Sequence, residues 1–127
     1  MTISHATTLR TTFATDFKNA VDAAATAGKL KFYTANFGSL MTTVTFNDPA
    51  FAAAASGETA MNTPSITGTI SLAGTNTMAK FRITDGDDNT VIEGDVGLAG
   101  ADINLTSVTY NQNDTVTINS LTYTASV

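Results

Sequence analysis

The sequence predicts a mainly β fold, an antiparallel β-sandwich or jelly roll with one N-terminal amphipathic α-helix, and three observations carry that prediction. From Lys29 onward apolar residues alternate with polar ones: Leu30 and Phe32, then Leu40, Val44 and Phe46, then Ile66, Ile70 and Leu72. Threonine, roughly a fifth of the chain, fills intervening positions such as Thr43, Thr45, Thr67 and Thr69, which suits a pleated sheet wet on one face. Before Lys29 the period is three to four, and Leu9, Phe13, Phe17, Val21 and Ala24 fall on one helical stripe.

The helix is placed at about 5–27. Ser4 can cap its start, Arg10, Asp16, Lys18 and Asp22 face water, and Gly28 offers the left-handed residue that often ends a helix. Strands follow from about residue 29. The stretch from Asn47 to Pro64 is poor in bulk because of Ala52 to Ala55, Ser56 and Gly57, so it reads as a long loop or edge excursion. Ala79, Phe81 and Ile83 share a phase, as do Ile92, Gly94 and Val96, with Asp85 to Thr90 as the turn between them. Putting both sets on one face requires 81 to pair with 94 and 83 with 92. Lys80 then faces Asp95, and Arg82 faces Glu93. Near the end, Val116 and Ile118 are out of phase with Leu121 and Tyr123, which predicts a bulge at Asn119 or Ser120.

A length of 127 residues with 43% apolar and 13% charged content fits one domain, 1–127, with its own core. The absence of cysteine excludes disulfides and thiolate zinc sites and fits synthesis in a reducing cytoplasm. No apolar run approaches the roughly 18 residues of a membrane span, and the start lacks the pattern of a signal peptide, so no membrane partner is expected. A net charge of −5 repels nucleic acid. That charge is divided along the chain: residues 1 to 82 carry six basic and four acidic groups (+2), and residues 83 to 127 carry seven acidic groups and no basic one (−7).

Candidate chemistry is sparse. Asp85, Asp87 and Asn89 alternate as in a calcium loop, but Thr90 and Val96 stand where an EF-hand needs Gly and Glu, so a hairpin turn is the better reading. His5 is a lone histidine before a helix, and no serine lies in a nucleophile-elbow context. Glu93 and Asp95 could act as paired carboxylates but alternate with Ile92, Gly94 and Val96, like the wet face of a strand. Tyr33, Tyr110 and Tyr123 could line a sugar-binding face, though sheets display tyrosine for propensity alone. Two N-glycosylation patterns, Asn104 to Thr106 and Asn113 to Thr115, carry little weight without a secretory signal. The residues therefore predict no enzyme, no cofactor and no metal, and instead packing against copies or partners.

Three segments carry a resemblance: KLKFYT (residues 29–34), VTFNDPAF (44–51) and FRITDGDDNTVIEGDVGLAGADINL (81–105), with INSLTYT closing the chain. They resemble a family of small, mostly uncharacterised proteins encoded among tailed-bacteriophage structural genes. The likeness spans most of the chain, and its most specific part is the Asp-Gly hairpin followed by Gly94, Asp95, Val96 and Gly97 and then Gly100, Ala101 and Asp102. It departs at Asn36 to Ser39, where a longer, proline-containing turn is usual. The resemblance implies a virion component made in the bacterial cytoplasm. A capsid decoration or cement protein is the leading expectation, with the major capsid protein or other virion proteins as partners and a homo-oligomeric state. The alternatives are a tail or head-to-tail structural protein, and a carbohydrate-binding module on a virion tip. The expected partner surface comprises the charged residues Lys29, Lys31, Asp85, Asp87, Asp88 and Asp102, with Pro49, Phe51 and Met61 of the alanine-rich stretch.

Overall fold

A computed structural model describes residues 3–125. In chain order its elements are α1 (Thr7–Val21), β1 (Lys29–Tyr33), β2 (Leu40–Thr45), β3 (Glu58–Ala60), β4 (Ile66–Thr69), β5 (Thr75–Thr77), β6 (Lys80–Thr84), β7 (Thr90–Gly97), β8 (Ile103–Asn104), β9 (Thr109–Asn111), β10 (Thr115–Ile118) and β11 (Thr122–Thr124). The fold is mainly β and sandwich-like, with the single helix at its start. One layer is a five-stranded sheet in the order β2-β1-β6-β7-β8. It is antiparallel except for the short β7–β8 pairing, which is parallel.

Alternation decides which side of this sheet is wet. Leu30, Phe32, Val44, Phe81, Ile83 and Val96 point inward and are buried, while Lys29, Lys31, Lys80, Arg82, Glu93 and Asp95 occupy the opposite positions. The β6–β7 register is the expected one, with Phe81 opposite Gly94, Ile83 opposite Ile92, Lys80 opposite Asp95 and Arg82 opposite Glu93. Leu40 departs from expectation and is 39% exposed. The register between β1 and β2 jumps from Phe32–Thr42 to Tyr33–Leu40, so Met41 is a bulged residue that takes the buried place and turns Leu40 outward.

The second layer is one long antiparallel ribbon interrupted twice. Residues 58 to 78 run against 124 to 108, pairing as β3–β11, β4–β10 and β5–β9. The first interruption falls at Asn119–Ser120, where a bulge was expected, and the second at residues 70 to 74. Backbone bonds continue across the breaks, from Met61 to Leu121 at 2.7 Å and from Ile70 to Asp114 at 2.8 Å. The ribbon approaches the sheet most closely at β2. A Cβ on Gly68 would lie 2.7 Å from Val44 Cγ2, and Ser71 N donates to Met41 O at 2.9 Å. Only glycine at 68 permits that approach.

The helix is shorter than 5–27, and its expected stripe is only half buried. Its N-cap is Ala6, without a side-chain cap, so Ser4 does not fill that role. It ends at Val21 because Asp22 leaves the helical path and its Oδ1 accepts Ala50 N at 2.9 Å. Gly28 lies past the helix and serves a different need: a Cβ there would sit 2.4 Å from Val21 Cγ1. Ala14, Phe17 and Val21 are buried, whereas Leu9 and Phe13 are 43% and 37% exposed. The buried arc is centred on Phe17 and Val21, and Leu9 and Phe13 fall on its flank. Phe17 stacks on Tyr123 with centroids 4.2 Å apart and meets Phe51 edge-on at 5.0 Å.

Of the two forms expected for the alanine-rich stretch, the structure shows the edge excursion, a hairpin held by two isolated bridges. Ser56 (φ 52°) and Gly57 (φ 79°) form a two-residue hairpin turn, closed by mutual bonds between Ala55 and Glu58 at 2.9 and 3.0 Å. Farther along, Phe51 bridges to Met61, and both are core residues, with Phe51 fully buried. Between two flanking bulky residues, small alanines suffice for a hairpin packed beside α1.

Replacing Phe17 with Ala should cost about 3–5 kcal/mol, the size of a large core cavity. Leu9→Ala and Phe13→Ala should each cost about 1 kcal/mol or less, since both side chains are already partly exposed. Urea unfolding of the three variants checks this ordering, and equal losses at all three positions would contradict it.

Candidate functional site

A cavity of about 340 Å³ opens between the layers where β7 and β11 diverge. Phe17, Phe81, Ile83, Ile92, Ile103 and Tyr123 supply its apolar wall, and Glu93, Asp102, Thr122 and Thr124 stand at its polar margin. Its size and composition fall in the range of binding pockets. Asp102 is held there by local structure: its Oδ2 accepts Asp95 N at 2.9 Å and lies over Gly94, where a Cβ would come within 2.7 Å of it. The cavity has no constellation of nucleophile and base, so what it offers is apolar contact with a charged rim.

The outer face of the five-stranded sheet is an ion-pair lattice. Lys29 and Lys31 both reach Asp88 Oδ1, at 3.0 and 2.9 Å. Lys80 pairs with Asp95, and Arg82 Nε donates to Glu93 Oε2 at 2.8 Å. Arg82 also lies over the rings of Phe37 and Tyr33, 4.4 and 5.1 Å from their centroids. Asn36 and Phe37 have φ of 56° and 55°. Asn tolerates the left-handed region; Phe does not, and contact with Arg82 and Tyr33 compensates the strain.

These contacts change the reading of the expected partner surface. Lys29, Lys31 and Asp88 are spent on one another within the chain. Asp85 is buried and organises the hairpin turn, its Oδ1 accepting Asp87 N and Asn89 N at 2.9 Å and its Oδ2 accepting Asn89 Nδ2 at 3.0 Å. Phe51 and Met61 are core residues and cannot form a contact surface. Pro49, Asp87 and Asp102 remain exposed but are not gathered in one patch with the lysines. The cavity escaped the sequence reading because its wall comes from α1, β6, β7, β8 and β11, which no local pattern connects. The exposed flank of α1 was missed for a simpler reason: an apolar stripe reads as core whether or not its partner layer reaches that far.

Hydrogen bonds from Asn89 hold the Asp85 carboxyl below its ordinary value, and Lys31 and Lys29 do the same for Asp88. A carboxyl lowered on folding stabilises the fold fully above its unfolded value of about 3.9, and that stabilisation is lost as pH falls through the lowered value. The thermal midpoint should therefore drop below about pH 4, and Asp85→Asn should flatten that acid limb while lowering the midpoint at neutral pH. Melting curves at neutral and acidic pH test this; a variant that falls as steeply as the parent contradicts the assignment.

Comparison of the chain with protein-family models, with curated proteins and with solved structures gives no match.

Proposed function

We propose that this chain is a bacteriophage virion structural protein, a capsid decoration or cement protein that binds across joints between capsid subunits. The observation that carries the reading is the run from Phe81 to Leu105, with its Asp-Gly hairpin and following glycines, which resembles proteins encoded among tailed-phage structural genes. The geometry supports a mechanical role. Leu9 and Phe13 stand part-exposed on the flank of a helix whose adjoining face is anchored in the core, an arrangement suited to contact with another protein. Small interfaces of this kind gain strength when several are engaged at once. A carbohydrate-binding tip module is the second reading, favoured by the grouping of Tyr33 and Phe37 on one face; Arg82 over those rings counts against it.

Electron microscopy of virions separates shell, neck and tail by position and copy number, and a location off the shell would overturn the decoration reading. Purified protein titrated onto shells that lack it tests the contact. Leu9→Ser with Phe13→Ser should reduce occupancy at least about tenfold, equivalent to 1.4 kcal/mol, at a temperature where the variant's melting curve shows it still folded. Since Lys29, Lys31, Lys80 and Arg82 are neutralised within the chain, occupancy should hold as the screening length falls from about 10 Å at 0.1 M salt to about 3 Å at 1 M. Release at high salt would restore an electrostatic interface.

A further inference from the structure

The cavity between β7 and β11 has main-chain donors and acceptors on both walls. In the β6–β7 pair, Val96 N donates to Ala79 O at 2.9 Å while Ala79 N turns to Tyr33 O, so 79 and 96 share a single bond that sets the phase of the ladder. Alternation along the register then assigns mutual bonds to 81 with 94 and to 83 with 92. The N–H and C=O of Glu93 and Asp95 consequently point away from β6, toward the outer edge. Strand β8 covers that edge only at Val96 and Gly97. The Asp102 carboxylate takes Asp95 N–H, and the main chain of Glu93 has no partner among the described residues.

The opposite wall has the same character. Met61 N donates to Leu121 O at 2.7 Å and Ala125 N to Gly57 O at 2.9 Å, so in the β3–β11 register the hydrogen-bonded pairs are 61 with 121, 59 with 123 and 57 with 125. Thr122 and Thr124 therefore direct their N–H and C=O groups away from β3. Glu93, Thr122 and Thr124 all line the one cavity. It is a slot bounded by two strand edges, with an apolar floor of Phe17, Phe81, Ile83 and Ile103.

We infer that this slot accepts an extended segment of a partner protein, added as a strand beside β7 and β11, with apolar side chains at alternate positions directed onto the floor and a Lys or Arg reaching Asp102. Unpaired main-chain groups at strand spacing specify an extended peptide, because a compact apolar molecule would leave them unsatisfied. Side-chain alternation in a strand delivers every second residue to the floor. The basic residue follows from charge: Asp102 is exposed and pairs with no cation among the described residues. The inference does not depend on which assembly the chain serves.

Hydrogen exchange followed by NMR on the full chain tests it, with the short synthetic peptide acetyl-TIKITIT-amide as probe and the same peptide with its central Ile replaced by Pro as control. Without peptide, the Glu93, Thr122 and Thr124 amides should exchange fast while those of Ile92 and Tyr123 are protected. Saturating peptide should slow the first three by about tenfold or more, as formation of a ladder bond requires, and the control should not. Asp102→Asn keeps an oxygen for Asp95 N–H but loses the charge, and should weaken the probe about twofold to fivefold at low salt. Unchanged exchange at millimolar peptide would overturn the inference. Equal protection by the proline control would make the slot a simple apolar pocket, and protection that grows with protein concentration alone would make its occupant a second copy; either result overturns it.

Discussion

The crossing of Phe81 over Gly94 is the constraint on which the rest of the structure depends. An added Cβ at position 94 would lie 2.6 Å from the Phe81 ring and 2.7 Å from the Asp102 carboxylate, so glycine there lets both settle onto β7. That contact fixes the β6–β7 register, and a slip of one residue would drive Lys80 and Arg82 into the core. The same register sets the ion pairs on the outer face, aims the Glu93 main chain at the open edge and brings Asp102 to the point where β8 takes over. Core, charged face and cavity are three consequences of one pairing.

How legible each part was in the sequence follows from how local its cause is. The β6–β7 register could be read because two alternating runs flank one short turn, and only one pairing puts both apolar sets on the same side. Strand β1 was legible for the same reason. The ribbon was not, since its halves lie between about 30 and 66 residues apart in sequence and its segments are three or four residues long, too short for alternation to stand out. The hairpin of residues 51 to 61 was hidden by its alanines, although Ser56-Gly57 is a turn signal and Phe51 and Met61 are bulky enough to have suggested burial. The helix was read correctly as amphipathic, but its apolar stripe is buried only from Ala14 to Val21: periodicity gives the direction of such a stripe but not how far the layer beneath it extends.

Charge shows the same limit from the other side. A basic first part and an acidic second part suggest two surfaces that seek complements elsewhere. In the fold, β1 and β6 lie next to β7 and the Asp85 to Thr90 turn, so the two charge pools meet across a single sheet face, and five of the six basic residues pair within the chain. Each exposed pair contributes little alone. Their joint effect is to neutralise five of the six cations within the chain, and that shifts the account of partner binding from charge to the apolar flank of α1 and the main-chain edges of the slot.

The two margins of the five-stranded sheet are treated differently, and that difference bears on what the slot is for. At β2 the ribbon closes in, with Gly68 against Val44 and Ser71 bonded to Met41, so this edge is covered. At β7 the covering stops at Val96, and Asp102 occupies the next donor, at Asp95, with a carboxylate instead of a strand. A free edge invites unwanted pairing with other chains, and proteins limit the risk by keeping such edges short and charged. Here the open stretch is confined to the residues around Glu93, between the bulge near Val91 and the Asp102 contact, with acidic side chains beside it. An edge so short cannot template indefinite sheet growth, yet an apolar cavity lies directly behind it. Protection alone would require only the short, charged edge; the cavity adds a place for side chains to go, which is what a receptor for one strand requires.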